Sequence, residues 1–349
     1  MPDLLRFGLI GCGAQGRYLS EALAMTRRAH LTACADISDE AAQKAVRFCG
    51  YAKAYSDYAQ MLDAEQLDAV IVATTHDQLS TCALAALQAG KHALVEKPMA
   101  LTVDDAKGLV DAARSARVRL MPGYTLRFMP ERILMKKMLD EGAVGRLAHI
   151  GGGQLIGGMG GWLSDPLRGG GPVFYVGSHV IDHLLWLAGG GPTRVYAEID
   201  WTQEDGVEAG VDATLRFPGG VTGHVCTSQK LGGRYGWVDV MGTGGRMRAE
   251  WESHDLLIQS TSRPEYTNLT RIQVPDDAYM PQVDPEAQAR VSGFKYVRNW
   301  MAEISELIDA IEQDREPSAT GADGVRALQV MQAIFDSART GAPVDIEPY

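Results

Sequence analysis

Gly8-Leu9-Ile10-Gly11-Cys12-Gly13-Ala14-Gln15-Gly16 is the most informative stretch of this 349-residue chain. A short apolar run, Leu4 to Ile10, predicts a buried strand. It leads into Gly11, Gly13 and Gly16 at G-x-G-x-x-G spacing. A helix-like segment follows from Arg17 to about Thr26, with Tyr18, Leu19, Ala22, Leu23 and Met25 as apolar positions. Strand, glycine loop and helix in this order make a dinucleotide site. The first glycine allows the tight turn, the second lets a pyrophosphate approach the backbone, and the third packs helix on strand. The helix N-terminus adds free N–H groups and a positive dipole end. Gly11, Cys12, Gly13, Ala14, Gln15 and Gly16 are the cofactor contacts expected here.

Outward from this loop, strand alternates with helix. His30–Asp36 predicts a second strand, and Asp36 stands twenty positions after Gly16, where a carboxylate meets the adenosine ribose. The following Ile37 and Ser38 offer no cation for a 2′-phosphate, so NAD is expected in preference to NADP. The alternative role for Asp36, capping the next helix, is open to Ser38 as well. Segment 51–55 and the apolar runs Leu67–Thr74, His92–Glu96 and Val118–Gly123 supply further strands. Helices are expected at Glu40–Cys49, Asp57–Leu62, Gln78–Ala89 (closed by Gly90) and Thr102–Ala116. Residues 1–124 thus form a doubly wound parallel sheet, the NAD-binding domain. Thr74, Thr75 and Glu96-Lys97-Pro98 fall at the carboxyl edge, where such sheets bind ligands. A lysine there can polarise a hydroxyl or carbonyl oxygen, and Pro98 allows a cis peptide that would aim it.

After Tyr124 the pattern changes. Pro130–Glu141 predicts a helix and Leu147–Gln154 a strand. Ten of the 21 residues from Gly151 to Gly171 are glycine, which favours a loop over packed structure. Val173–Ala188 predicts one helix. From Thr193 onward, alternating segments with tight Gly turns predict a mainly antiparallel sheet: Val207–Phe217, Val221–Gln229, Trp237–Met241, Arg246–Glu252, Leu256–Ser260 and Leu269–Val274. Helices at Gly293–Gln313 and Gly324–Thr340 close the chain, so 125–349 reads as a second, α+β domain.

Composition narrows the class. The net charge is −11 with no Lys/Arg-rich block, which argues against nucleic acid. Five cysteines (Cys12, Cys34, Cys49, Cys82, Cys226) include no C-x-x-C pair and read as reduced thiols. With no basic leader and no apolar run long enough to cross a bilayer, a cytoplasmic protein is expected.

Gly177-Ser178-His179-Val180-Ile181-Asp182-His183 is the second constellation. On a helix His179, Asp182 and His183 share one face, an arrangement suited to a proton acceptor and its orienting partner. Without an H-E-x-x-H motif or a third ligand, no metal is expected. Tyr124, Trp162, Tyr175 and Arg127 are candidate substrate contacts, as are Tyr235, Trp237 and Arg168.

These elements together resemble the glucose–fructose oxidoreductase, inositol dehydrogenase and MocA-type (Gfo/Idh/MocA) oxidoreductases. The resemblance rests on the glycine loop, Ala89-Gly90-Lys91-His92, Glu96-Lys97-Pro98, Gly145-Arg146, the segment Gly177–Asp182 and Thr320-Gly321-Ala322-Asp323-Gly324. It implies a Rossmann domain plus an α/β domain whose open-faced sheet often mediates oligomerisation. It also implies that Lys97 contacts the reacting hydroxyl and that His179 is the general base. Tyr175 stands where the family commonly has an aspartate, Leu79 where it commonly has a histidine, and Thr125 where it commonly has an asparagine. The expected activity is NAD-dependent oxidation of a secondary hydroxyl of a sugar, glycoside or cyclitol by a homodimer or homotetramer. Two alternatives stand beside it. One is a lyase or glycosidase that recycles NAD within each turnover; the other is a non-catalytic dinucleotide-binding regulator.

Overall fold

The structure is a computed structural model that describes residues 4–202, 206–251, 253–275, 278 and 297–349. The described residues of Met1–Phe128 and Met280–Gly324 form one compact unit, and those of Met129–Tyr279 and Val325–Tyr349 another.

In the first unit β1 (Leu5–Ile10), β2 (Ala29–Ala35), β3 (Lys53–Tyr55), β4 (Ala69–Val72), β5 (His92–Val95) and β6 (Leu120–Pro122) lie in the order β3-β2-β1-β4-β5-β6. Every pairing is parallel. β4 is wholly buried, as its unbroken Ala-Val-Ile-Val run requires of a strand covered on both faces. Strand order reverses between β1 and β4, which opens the crevice at their carboxyl ends. Three of the helices start where side-chain oxygens satisfy free N–H groups. Ser38 accepts from the Ala41 N–H, Asp57 from Ala59 and Thr102 from Asp105.

The single boundary expected after residue 124 is not what the contacts give. Helix Val297–Glu312 buries Met301, Ile304, Leu307 and Ile308 within the first unit and packs along helix Ala14–Thr26. Trp300 stacks on Tyr18 with centroids 5.4 Å apart and rings within 7° of parallel. Arg28 reaches Asp309 and Glu312 at 2.7 and 2.8 Å. The expected start of this helix, from 293, lies outside the described residues.

In the second unit β7 (Leu147–Leu155), β8 (Arg194–Trp201), β9 (Glu208–Arg216), β10 (Thr222–Ser228), β11 (Tyr235–Gly242), β12 (Gly245–Glu250), β13 (Asp255–Ser260), β14 (Thr270–Gln273) and β15 (Val344–Asp345) form a nine-stranded sheet among the described residues. The order is β14-β13-β12-β11-β7-β10-β9-β8-β15. β7 and β10 are parallel; the other pairs are antiparallel. Residue 252, the expected end of one strand, lies outside the described residues. Burial alternates along β8 to β10, so one face is packed and the other open.

Gly151, Gly152 and Gly153 are not a loop. They lie in β7, at the middle of the sheet, and are buried. At Gly152 and Gly153 the neighbours require the lack of a side chain. A Cβ on Gly153 would fall 2.4 Å from the Trp237 ring, and one on Gly152 would fall 2.9 Å from the Trp237 carbonyl oxygen. The later part of the glycine-rich run does leave the sheet, through short turns at Gly161–Ser164 and Pro166–Arg168.

Candidate active site

The three glycines of the first loop have different jobs. Gly11 has φ +95°, and a Cβ there would lie 2.5 Å from the Ala73 carbonyl oxygen at the end of β4. Gly16 lets helix Ala14–Thr26 cross the loop, since its Cβ would sit 2.0 Å from the Gly11 carbonyl oxygen. A Cβ on Gly13 would meet nothing within 4 Å. The backbone at Gly13, which caps the helix, is therefore open to a ligand, with Ala14 and Gln15 in the first turn.

Asp36 follows β2 and holds this loop. Its carboxylate accepts from the Cys12 N–H at 2.7 Å and from the Ser38 N–H at 2.8 Å. Ser38, not Asp36, caps the next helix. Ile37 beside it is 98% exposed. Thr74 and Thr75 follow β4, with Thr75 at the start of helix His76–Gln88. After β5, Gln15 Nε2 donates to Glu96 Oε1 at 2.8 Å, and the Lys97 N–H donates to Glu96 Oε2 at 3.1 Å. Burial pushes the Glu96 carboxyl up; the Lys97 ammonium and the Lys97 and Gln15 donors oppose that. Lys97 is buried and its bond to Pro98 is cis.

Tyr124 and Arg127 lie in the interior of the same unit. Tyr124 is fully buried, and the Arg127 guanidinium sits 5.8 Å from its ring centroid. Arg127 Nη1 donates to the Ser318 carbonyl at 2.7 Å and pairs with Asp323 at 3.2 Å.

In the second unit the expected helix Val173–Ala188 is two pieces. Val173–Gly177 is a π turn, and Ser178–Ala188 is α-helical. Tyr175, half-buried, donates its N–H to the Gly171 carbonyl at 3.0 Å. His179 is also half-buried, and its ring stands edge-on to Trp251 with centroids 6.3 Å apart. Asp182 and His183 are both buried. Helix Ser178–Ala188 is apolar nearly all round, so its sixth position, His183, is carried inward too. Trp162 is half-buried in its turn.

Two residues escape the sequence. Glu208 begins β9, and its carboxylate accepts from the Val173 N–H at 2.6 Å. Gly171 (φ +101°) makes room for it, because a Cβ there would fall 2.3 Å from Glu208 Oε2. Burial raises the Glu208 pKa to about 6, against the pull of backbone N–H groups. Trp251, after β12, is the other. An acid within an apolar alternation is the available signal for Glu208; nothing distinguishes Trp251 from a core aromatic. Among the described residues no group of three or more His, Cys, Asp or Glu is arranged to hold a metal, and no helix is long and apolar enough to cross a membrane.

Comparison with known proteins places both units. The model of an oxidoreductase family with an NAD-binding Rossmann fold (GFO_IDH_MocA) matches residues 5–124, and that of the GFO/IDH/MocA C-terminal domain matches 133–248. Levoglucosan dehydrogenase of Pseudarthrobacter phenanthrenivorans is 25% identical, over 98% of each chain. D-xylose 1-dehydrogenase (NADP(+)) 2 of Haloferax volcanii is 27% identical, over 98% of this chain and 100% of that one. The structure of a levoglucosan dehydrogenase in complex with NADH and levoglucosan superposes with a TM-score of 0.88 at 25% identity, covering 99% of this chain and 100% of the other.

Proposed function

The chain belongs to the Gfo/Idh/MocA oxidoreductase family, and on that footing we propose that it transfers hydride between NAD and a secondary hydroxyl of a sugar, glycoside or cyclitol. The observation that carries this is the first unit's pairing of an open glycine cradle with a buried lysine. The cradle suits a dinucleotide: Gly13 leaves the helix N-terminus uncovered, and Gly11 and Gly16 are needed for the close approaches that shape it. When bound, NAD supplies the hydride acceptor.

The residues then divide the remaining work. Asp36 spends two acceptor sites on Cys12 and Ser38, and an ionised carboxylate has about four. The rest accept from ribose hydroxyls. Its negative charge, with no cation at Ile37 or Ser38, favours NAD over NADP. Lys97 polarises the reacting oxygen and stabilises negative charge on it. His179 takes the hydroxyl proton, and Asp182 shares its helix. Tyr175 gives that imidazole no permanent negative charge where the family commonly has an aspartate, so the substrate pocket departs from that of an inositol dehydrogenase.

The test is a panel of sugars, glycosides and cyclitols with NAD and with NADP, followed by absorbance of the reduced cofactor. Reduction of NAD by at least one member is expected; silence across the panel would sink the reading. Product without net NADH would instead indicate the recycling lyase. Tight NAD binding with no turnover would indicate the regulator, which the presence of both Lys97 and His179 disfavours. A cytoplasmic location fits the free thiols, four of five being buried. Assembly as a homodimer or homotetramer through the open face of the second sheet completes the proposal.

A further inference from the structure

Gln15 stands in the first turn of the helix that follows the glycine loop, yet its side chain reaches a segment 81 positions further along the chain. Its Nε2 donates to Glu96 Oε1 at 2.8 Å, and the other oxygen, Oε2, accepts the Lys97 N–H at 3.1 Å. One carboxylate is thus held by a donor from the cofactor loop and a donor from the lysine. Glu96 has little room to move. Its own N–H donates to the Val72 carbonyl of β4 at 2.9 Å. The backbone of Gly123 comes against it, so that a Cβ there would lie 3.5 Å from Glu96 Cα and 3.6 Å from Cδ. Glu96 and Lys97 are both buried. A buried carboxylate is a costly part of a fold, and an apolar side chain of similar size commonly serves stability as well or better. Its presence between these two segments needs another reason.

We propose that Gln15 is a positioning residue: acting through Glu96, it ties Lys97 to the glycine loop, so that the cofactor cradle and the ammonium that polarises the reacting oxygen form one hydrogen-bonded unit. The inference rests on the hydride-transfer reading above and names a residue that serves the reaction without entering its proton or hydride chemistry. A glutamine suits this role. Its amide donates without titrating, and a donor to an ionised carboxylate makes one of the stronger hydrogen bonds in a protein. Leucine at this position would leave Glu96 Oε1 without its donor. Glutamate would set two carboxylates against each other, and such a pair repels unless it takes up a proton. Misplacing a reacting group by about 1 Å can cost about 10²-fold in rate, so the tie is felt chiefly in turnover.

The test uses the full chain with Gln15→Leu, Gln15→Glu and the double variant Gln15→Glu/Glu96→Gln. The double variant exchanges amide and carboxylate: the new amide at 96 donates to the new carboxylate at 15, and its oxygen still accepts the Lys97 N–H. Kinetics are measured at saturating NAD on the fastest-reacting compound of the panel above, which includes levoglucosan, D-xylose and myo-inositol. They run well below the Tm of each variant, so that a merely loosened fold keeps its kcat. In both single variants kcat should fall at least about tenfold with KM within about threefold, the pattern of an interaction realised in the transition state. NADH affinity of Gln15→Leu, by calorimetry, should stay within about threefold, because the helix N-terminus offers backbone donors. The double variant should regain at least about fivefold in kcat over Gln15→Glu, the coupling expected of residues in direct contact. Unchanged kcat in Gln15→Leu would overturn the inference while leaving the reaction standing. So would a double variant no faster than Gln15→Glu, or a loss seen only in KM or in NADH affinity. A wild type that reduces NAD with no compound of the panel removes the hydride-transfer reading and this inference with it.

Discussion

Lys97 is held with its charge beside a carboxylate that burial is already pushing toward neutrality. Lys97 itself is buried, just after the carboxyl end of β5. Lys97→Met keeps the stem and removes the charge. Turnover should fall by at least about 10²-fold, the scale of a lost acid–base or electrostatic group, with NAD affinity within about threefold of wild type. Steady-state kinetics beside calorimetry decide this, and full activity would remove Lys97 from the chemistry. Asp36 acts at the same scale through two backbone donors rather than one. Asp36→Ala should weaken NAD by about tenfold or more, a loss of charge-assisted hydrogen bonds, while NADP loses less because a repelling charge has gone. An unchanged NAD-to-NADP affinity ratio would refute the ribose role. Asp36 was legible because its position relative to Gly16 is fixed by one βαβ unit. Glu208 was not, because its partner Val173 is 35 residues away and hydrogen-bonds through its backbone, which has no residue signature.

The π turn at Val173–Gly177 shows how a well-patterned segment can mislead at the level of the element. Its apolar spacing continues into helix Ser178–Ala188 without a break, so one helix is the natural expectation. The Glu208 carboxylate against the Val173 N–H, with Gly171 in a left-handed turn, sets the entry differently. Glycine density misled in the opposite direction at β7, where the Trp237 ring fills the space a side chain at Gly153 would take. Local pattern names a strand or helix; it does not reveal what a neighbouring strand brings over it. Glu208 also makes the element pH-dependent. Its pKa rises from an ordinary 4.5 to about 6 in the folded protein. The folded state therefore binds the proton more tightly, and stability is lost as pH rises from about 4.5 through 6. A shift of about 1.5 units corresponds to about 2 kcal/mol. Glu208→Gln keeps an acceptor for Val173 without the charge. Relative to wild type the variant should gain about 2 kcal/mol in denaturant unfolding at pH 7 and close to nothing at pH 4. An equal difference at both pH values would show that the Glu208 charge carries no such cost.

At the scale of the molecule both sheets were legible, because parallel β-α alternation and antiparallel period-two patterns differ in sequence. The return of helix Val297–Glu312 to the first unit was not. An amphipathic stripe announces a buried face but not its partner, here Tyr18 and the helix that carries it. The open face of the second sheet poses the same question in reverse. Register places Tyr235, Trp237 and Met241 of β11 on the face that also carries Tyr196 of β8, four strands away. Tyr235 stacks on Trp237, and Tyr196, Tyr235 and Met241 are 38%, 37% and 41% exposed. Large apolar groups spread across one exposed face mark an interaction surface. On the proposal that the chain assembles with itself, a second copy would cover it, since a two-fold axis lets one patch serve both partners. In that arrangement a charge placed at Met241 or Tyr196 enters the contact twice. Tyr196→Glu with Met241→Glu should therefore shift sedimentation velocity from dimer or tetramer to monomer at micromolar concentration. NAD binding should survive, because neither residue belongs to the unit that holds the glycine cradle. A wild type that sediments as a monomer, or a double variant that assembles like wild type, would exclude this face as the contact.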